Sequence, residues 1–363
     1  MESIEVVVVG AGVVGLATAW RLASNGREVA VLERFPLGHD RGSSHGATRI
    51  FRFAYEDPTY VRFARAAVPL WRELEGGSGE EILRITGGLD VGPVEHLDRV
   101  ASALRSCGAS AELLTASERR ARFPWLELGD APALYSPDTG VIAAARALEA
   151  LAASARASGA DIRKERHVRS LTPDGNGVTV ATDHGDLRAR RCVVAAGGWS
   201  APLLDPLGIR LPVRVTREQV FYFRGETQLV PFIHYGDLAR YAVPAFAGAA
   251  GVKIAEHMTG EETSAEGRSF DMDPEGAARV AAYVQETVPG LDPQPVGFET
   301  CLYTTTPDEG FVLDAAGPVV VASPCSGHGF KFAPIVGETL ACIATGREPP
   351  LPAGPFDLTR FAS

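Results

Sequence analysis

Residues 5–15 of this chain read Glu-Val-Val-Val-Val-Gly-Ala-Gly-Val-Val-Gly, and no other stretch limits the possible folds as much. Four consecutive β-branched residues closed by glycine are the signature of a strand buried on both faces, as in a parallel sheet. An amphipathic pattern follows over Val13–Ser24, with Gly26 at a helix C-cap position, then a second strand over Glu28–Leu32 ending at Glu33. The spacing G-x-G-x-x-G is weak evidence alone. Between a strand and a helix, with an acid 18 positions after Gly15, it marks a dinucleotide-binding βαβ unit. Gly10 permits the tight turn, Gly12 lets the backbone approach a pyrophosphate, and Gly15 lets helix and strand pack closely. The helix N-terminus offers free N–H groups to phosphate, and Glu33 offers a carboxylate to a ribose hydroxyl. The fingerprint does not separate a nicotinamide from a flavin dinucleotide.

Composition narrows the partners. The formal net charge is −10 and the basic residues form no long run, which argues against nucleic acid or an anionic membrane surface. The acidic start Met1–Glu5 is unlike a secretory signal, and no uninterrupted apolar run approaches a membrane span. Five cysteines (Cys107, Cys192, Cys301, Cys325, Cys342) without a C-x-x-C pair fit neither a disulfide framework nor a structural zinc site. A cytoplasmic location is therefore expected, and the ending Arg360–Ser363 is not an SKL-type address. No metal cluster and no Ser-His-Asp arrangement is visible, so a bound organic cofactor must carry any chemistry.

Further along, helices are expected over Pro58–Glu75, Ala143–Ser158, Ala277–Thr287 and Pro334–Ala344, the last capped by Gly346. Strands are expected from Gly87, over Ile162–Val168, Val178–Ala181, Arg191–Ala196, Phe311–Asp314 and Val319–Ala322. From Pro212 to Val296 alternating strands point to an antiparallel sheet. With no repeat and no linker, two domains are expected to interleave in a mixed α/β (α+β) chain. A Rossmann-like part takes residues 1–85, 141–213 and 298–363, and a second part takes 86–140 and 214–297.

Residues 42–55 read Gly-Ser-Ser-His-Gly-Ala-Thr-Arg-Ile-Phe-Arg-Phe-Ala-Tyr. His45, Arg49 and Arg52 are spaced by four and three, so a helix here would put them on one face. Buried guanidinium groups need an anionic partner, for which a carboxylate or a reduced flavin would serve; a solvated basic face is the other reading.

Together with Cys301-Leu302-Tyr303-Thr304-Thr305-Thr306 and Ser326-Gly327-His328-Gly329-Phe330-Lys331-Phe332, these segments resemble the monomeric sarcosine oxidase and N-methyltryptophan oxidase family of D-amino-acid-oxidase-like flavoproteins. The resemblance covers nearly the whole chain. It implies an FAD-binding domain interleaved with a substrate domain, and oxidation of a CH–NH bond in a small secondary amino acid with oxygen as acceptor. The products would be an imine, hydrolysed to aldehyde and amine, and hydrogen peroxide. An oxidase or dehydrogenase of a cyclic imino acid or biosynthetic amine is the alternative. No macromolecular partner is implied, and a monomer is expected.

Residue by residue, the resemblance implies FAD held covalently by Cys301 through the flavin 8-methyl carbon. Arg52 and Lys331 match the pair that holds the substrate carboxylate, and neither has an evident protein counter-charge in the sequence. Arg49 matches an arginine beside the flavin, with His45 near it, and Tyr241, Tyr303 and His257 match pocket residues. Lys253 matches the lysine implicated in oxygen activation. Arg34, Thr48, Val168, Gly197, Gly327, Gly329 and Lys331 complete the implied flavin contacts, beside Gly10, Gly12, Gly15 and Glu33. Ala47 and Ser44 depart from the family's common aspartate and second histidine, and Phe232–Leu238 does not match clearly. These departures bear on the substrate rather than on the cofactor.

Overall fold

The structure is a computed structural model describing residues 1–225 and 228–361. Ala362 and Ser363, part of the terminal address read above, lie outside the described residues, as do positions 226 and 227.

The opening valines form the centre of the first sheet. The strand Glu2–Val9 pairs in parallel with Val29–Leu32 on one side and Leu187–Val194 on the other, with Val9 opposite Leu32 and Val194. Val6, Val7 and Val8 are all fully buried, which is why this strand is continuously apolar rather than alternating. The parallel order continues to Asp161–Arg163 at one edge and Val319–Ser323 beyond Leu187–Val194. Antiparallel strands Val168–Pro173 and Val178–Thr182 extend the sheet, so the unit is mixed rather than purely parallel.

The helices Val13–Ser24, Ala144–Ala157 and Ala333–Thr345 pack together over this sheet. The first and last approach so closely that a Cβ on Gly337 would lie 2.6 Å from the Ala17 carbonyl carbon. Glycine there lets two backbones touch, so the dinucleotide helix is held by the chain's last long helix.

A nine-stranded sheet forms the second layer. Arg214–Phe223 runs antiparallel to Val252–Glu256 and, along its other edge, to Gly297–Thr305. Ala239–Val243 and Phe232–Tyr235 follow, and Phe232–Tyr235 then pairs in parallel with Gly88–Val91. This one parallel junction joins two segments far apart in sequence, which the alternating pattern alone does not reveal. A small third sheet of Thr48–Phe51, Gly140–Ala143 and Leu83–Ile85 lies between.

Two local expectations are corrected. The stretch Ile162–Val168 is not one strand: pairing stops at Arg163, Glu165 takes a positive φ of 55°, and Val168 starts a new direction. The basic segment is not a helix: residues 42–47 are irregular, Gly46 has φ of +93°, and Thr48–Phe51 is a strand. Its β-branched and aromatic residues satisfy their backbone against Gly140–Ala143, and that pairing overrides the helical spacing of the charges. The helix Val94–Ser106 was not anticipated.

Candidate active site

A single cavity of about 1470 Å³ runs from the glycine turn to the segment around Lys331. At its first end Gly12 caps the helix without any side-chain cap, and no acid stands in the first helical turn. Only Ser44 approaches, its Oγ accepting the Val13 N–H at 3.1 Å. Free N–H groups and the dipole's positive end are thus left to the cavity, as phosphate binding requires. Glu33 lines the same end, accepting the Ala11 N–H at 2.7 Å and the Phe35 N–H at 2.9 Å. Burial pushes its pKa up, but His39 and these two amides hold it below the usual carboxylate value.

Gly10 and Gly15 do not line the cavity. A Cβ on Gly15 would sit 1.9 Å from the Gly10 carbonyl oxygen, and one on Gly10 (φ +100°) 2.6 Å from the Ala195 carbonyl oxygen. Their task is the turn and the helix–strand contact, as the spacing implies. Arg34, Val168 and Gly197 lie along the wall, with Arg34 ion-paired to Glu266.

In the middle, Arg49 donates to the carbonyls of Thr48 (2.9 Å), Ser43 (3.0 Å) and His45. Lys253, almost wholly buried on Val252–Glu256, donates to the same Thr48 carbonyl. Thr48 itself does not line the cavity; its backbone fixes the lysine. Among the described residues neither Arg49 nor Lys253 forms an ion pair with a carboxylate. Burial and then Arg49 pull Lys253 well below the ordinary lysine value, opposed by Glu299. His45 falls to about 4, by burial and then Arg49, so it is neutral at pH 7.

Cys301 faces the same space, and burial pushes its thiol up to about 11 despite Arg49 and Lys253. Beyond it lie Tyr303, Gly327 and Gly329. A Cβ on Gly327 (φ +75°) would collide with the Tyr303 ring at 2.5 Å. Thr304 lines the cavity with its buried hydroxyl unpartnered by protein.

The far end is cationic and aromatic. Lys331 Nζ donates to Tyr55 Oη and to the His328 carbonyl, both at 2.8 Å. Burial, then Arg52, pulls Lys331 well below its ordinary value. Tyr241, Tyr303 and His257 form the opposite wall, with His257 Nδ1 3.3 Å from Tyr303 Oη. His257 is down to about 4, through burial and then Arg52 and Lys331.

The expectation that Arg52 lacks a protein counter-charge is wrong. Its Nη1 lies 3.1 Å from Asp90 Oδ1 and 2.9 Å from Tyr235 Oη. Asp90, Tyr235, Tyr55 and Glu299 are the residues that sequence reasoning missed. Asp90 had a signal: it is the lone acid in the apolar strand Gly-Leu-Asp-Val, where an unpaired charge would be costly. No group of histidine, cysteine or acidic residues suited to a metal occurs among the described residues.

A dinucleotide end without competing caps, a roomy central space and a cationic far end suit a dinucleotide-dependent oxidoreductase. Residues 5–343 match the DAO family of FAD-dependent oxidoreductases, and the chain belongs to that family.

Among curated relatives, the human peroxisomal sarcosine oxidase is 34% identical, covering 99% of this chain and 96% of its own. The monomeric sarcosine oxidase of Bacillus sp. (strain NS-129) is 32% identical over 99% and 97%. The N-methyl-L-tryptophan oxidase of Yersinia pestis (strain Pestoides F) is 29% identical over 98% and 99%. Among solved structures, the Tyr258Phe mutant of NikD, an amino acid oxidase essential for nikkomycin biosynthesis, superposes with a TM-score of 0.90 at 29% identity, covering 98% and 97%. L-proline dehydrogenase from P. horikoshii gives 0.88 at 25%, covering 99% and 98%.

Proposed function

We propose that the protein is an FAD-dependent oxidase of a small secondary amino acid, an N-methyl amino acid of the sarcosine kind. The observation that carries this reading is the pair Arg52 and Lys331 at the far end of the cavity that begins at Gly12. Bound FAD would supply the redox chemistry, a two-electron oxidation of the C–N bond coupled to reduction of oxygen to hydrogen peroxide. The protein's residues do the rest. Arg52 and Lys331 hold the carboxylate, while Tyr241, Tyr303 and His257 enclose the amine and its substituent. The cationic surroundings, with both histidines neutral, favour the uncharged amine. Arg49, Lys253 and the helix N-terminus at Ala333 offer positive potential where negative charge develops.

The residues fit the cofactor: Gly12 and the bare helix end suit its phosphates, Glu33 its ribose, and the unpartnered Thr304 hydroxyl a polar atom of the ring system. Arg34, Val168, Gly197, Gly327 and Gly329 would complete its contacts, while Thr48, which does not line the cavity, acts through its carbonyl on Lys253 and Arg49. In this reading residues 1–85, 141–213 and 298–363 serve the cofactor and 86–140 and 214–297 the substrate. The strand Gly297–Thr305 takes part in both, because it is hydrogen-bonded into the substrate-side sheet. A cytoplasmic monomer fits the acidic charge; among the described residues no helix is long and apolar enough to cross a membrane.

Purified protein should be yellow and release hydrogen peroxide with sarcosine or another N-methyl amino acid. Failure of all such substrates, with turnover of L-proline or a piperidine carboxylate, would favour a cyclic imino acid instead. The likeness to L-proline dehydrogenase gives that reading its support.

Cys301 is proposed to carry the flavin covalently. Acid precipitation should leave the yellow colour with the protein, and a flavin-modified peptide should contain residue 301. Cys301→Ser should hold FAD only reversibly; flavin released wholly into the wild-type supernatant sinks this assignment.

A further inference from the structure

We infer that Asp90 and Tyr235 are positioning residues that aim Arg52, fixing one edge of its guanidinium so that the other edge meets a single substrate carboxylate. The inference rests on the reading of Arg52 as part of the carboxylate clamp and adds the device that orients it.

The geometry is specific. Among the described residues, all the hydrogen bonds that Arg52 makes come from Nη1: to Asp90 Oδ1 at 3.1 Å, Tyr235 Oη at 2.9 Å and the Ala54 carbonyl at 2.5 Å. Tyr235 Oη also donates to Asp90 Oδ1 at 3.0 Å, closing a triangle of three side chains. The guanidinium carbon lies 4.5 Å from the centre of the Tyr55 ring, which restrains the plane. Nε and Nη2 remain for the cavity that Arg52 lines. A guanidinium tethered at Nη1 presents a planar pair of N–H groups, the arrangement that grips a carboxylate bidentately.

The scaffold is rigid. Asp90 is 3% exposed, on a strand paired to Phe232–Tyr235 on one side and Ala133–Ser136 on the other. Asp90 and Tyr235 therefore come from two strands joined by the parallel junction, and the second lies in the stretch that departs from the family pattern. His96 packs against Tyr235 with ring centres 4.1 Å apart and planes tilted by 49°, and its Nδ1 is 2.6 Å from Glu56. The triangle is thus braced by two further residues, His96 and Glu56, which line the same cavity. Asp90 also offsets the Arg52 charge from the side away from the substrate edge.

The test uses the flavin-loaded enzyme and acetate as a non-reacting probe, read by perturbation of the flavin absorbance. Asp90→Ala removes the charged tether of Nη1 and the acceptor that holds Tyr235, leaving Nη1 on the Ala54 carbonyl and an unanchored Tyr235, and a misaim of about an ångström can cost about a hundredfold. Acetate should then bind about a hundredfold more weakly, and kcat/KM for the amino acid should fall similarly, mainly through KM. The matching amine without a carboxylate should be unaffected in kcat/KM.

Asp90→Asn keeps an acceptor for Nη1 and Tyr235 but removes the offsetting charge, so acetate should bind at least as tightly as in wild type. Tyr235→Phe removes one of three tethers and should weaken acetate about three- to tenfold, one net hydrogen bond. Weaker acetate binding in Asp90→Asn, or equal losses on both substrates in Asp90→Ala, overturns the inference. The Asn arm decides even if the Ala variant does not fold. If no secondary amine is oxidised yet acetate binding follows this pattern, the functional reading falls and the aiming device stands.

Discussion

Replacing Arg52 by alanine should lower kcat/KM for a secondary amino acid by about thirtyfold to a few thousandfold. That range is the ~2–5 kcal/mol cost of removing one partner of a buried charged hydrogen-bonded pair. The matching amine without a carboxylate should lose far less, because Arg52 contributes nothing to it that other residues do not. The structure adds a second effect. Truncation leaves Asp90 buried without its cation, which typically costs about 3–5 kcal/mol of stability. Burial already raises the Asp90 pKa against the pull of Arg52 and Tyr235, so without Arg52 the carboxyl should take up a proton at higher pH. The double replacement Arg52→Ala with Asp90→Ala removes both charges and should recover much of the lost thermal stability while leaving kcat/KM low. Steady-state kinetics on the two substrates and thermal melts separate the two effects. Equal losses on both substrates would mean that Arg52 serves the fold or the cofactor instead.

Lys253→Met should separate the two half-reactions. Anaerobic reduction by substrate should stay within about tenfold of wild type, since Arg52 and Lys331 are untouched. Reoxidation by oxygen should slow by about a hundredfold or more, the ~3 kcal/mol scale of one lost electrostatic donor in a preorganised site. Lys253 suits that role because its ammonium is held by one backbone carbonyl and no carboxylate, so its charge is available to the cavity. Only the protonated form can act. Its pKa is depressed by burial and Arg49, so wild-type reoxidation should fall as pH rises, below the ordinary lysine range. The Met variant should lack that limb. Stopped-flow measurement of both half-reactions across pH checks this; unchanged reoxidation with collapsed reduction would assign Lys253 to substrate handling.

The parts of this molecule that were legible in the sequence are those whose physics is local. Consecutive valines ending in G-x-G-x-x-G demand a doubly buried strand and a bare helix end, and both are present. The resemblance brought Arg49, Arg52, Lys253, Cys301 and Lys331 together before any geometry was known, and they do line one cavity. What stayed hidden depends on distant pairing. Asp90 lies beside Tyr235 because Gly88–Val91 joins Phe232–Tyr235 in parallel, and nothing in either segment encodes that choice. The spacing of His45, Arg49 and Arg52 suits a helix, while Thr48, Ile50 and Phe51 suit a strand; hydrogen bonding to residues 140–143 decides for the strand. Glu299 is likewise silent in sequence, and it enters through the fold, which brings it to the cavity wall beside Gly46 and within reach of Lys253 and His45.

The central position of the first strand has a cost in time. The strand Glu2–Val9 is synthesised long before one neighbour, around Val194, and longer still before Val321, which joins beyond it. Until then Glu2–Val9 has one free edge, and the helix at Gly337 that covers Ala17 is not yet made. Parallel pairings of such long range are slow to close, and exposed strand edges are sites of association between nascent chains. Expression at lower temperature, or with chaperones in excess, should therefore raise the soluble yield more than any substitution in the active site.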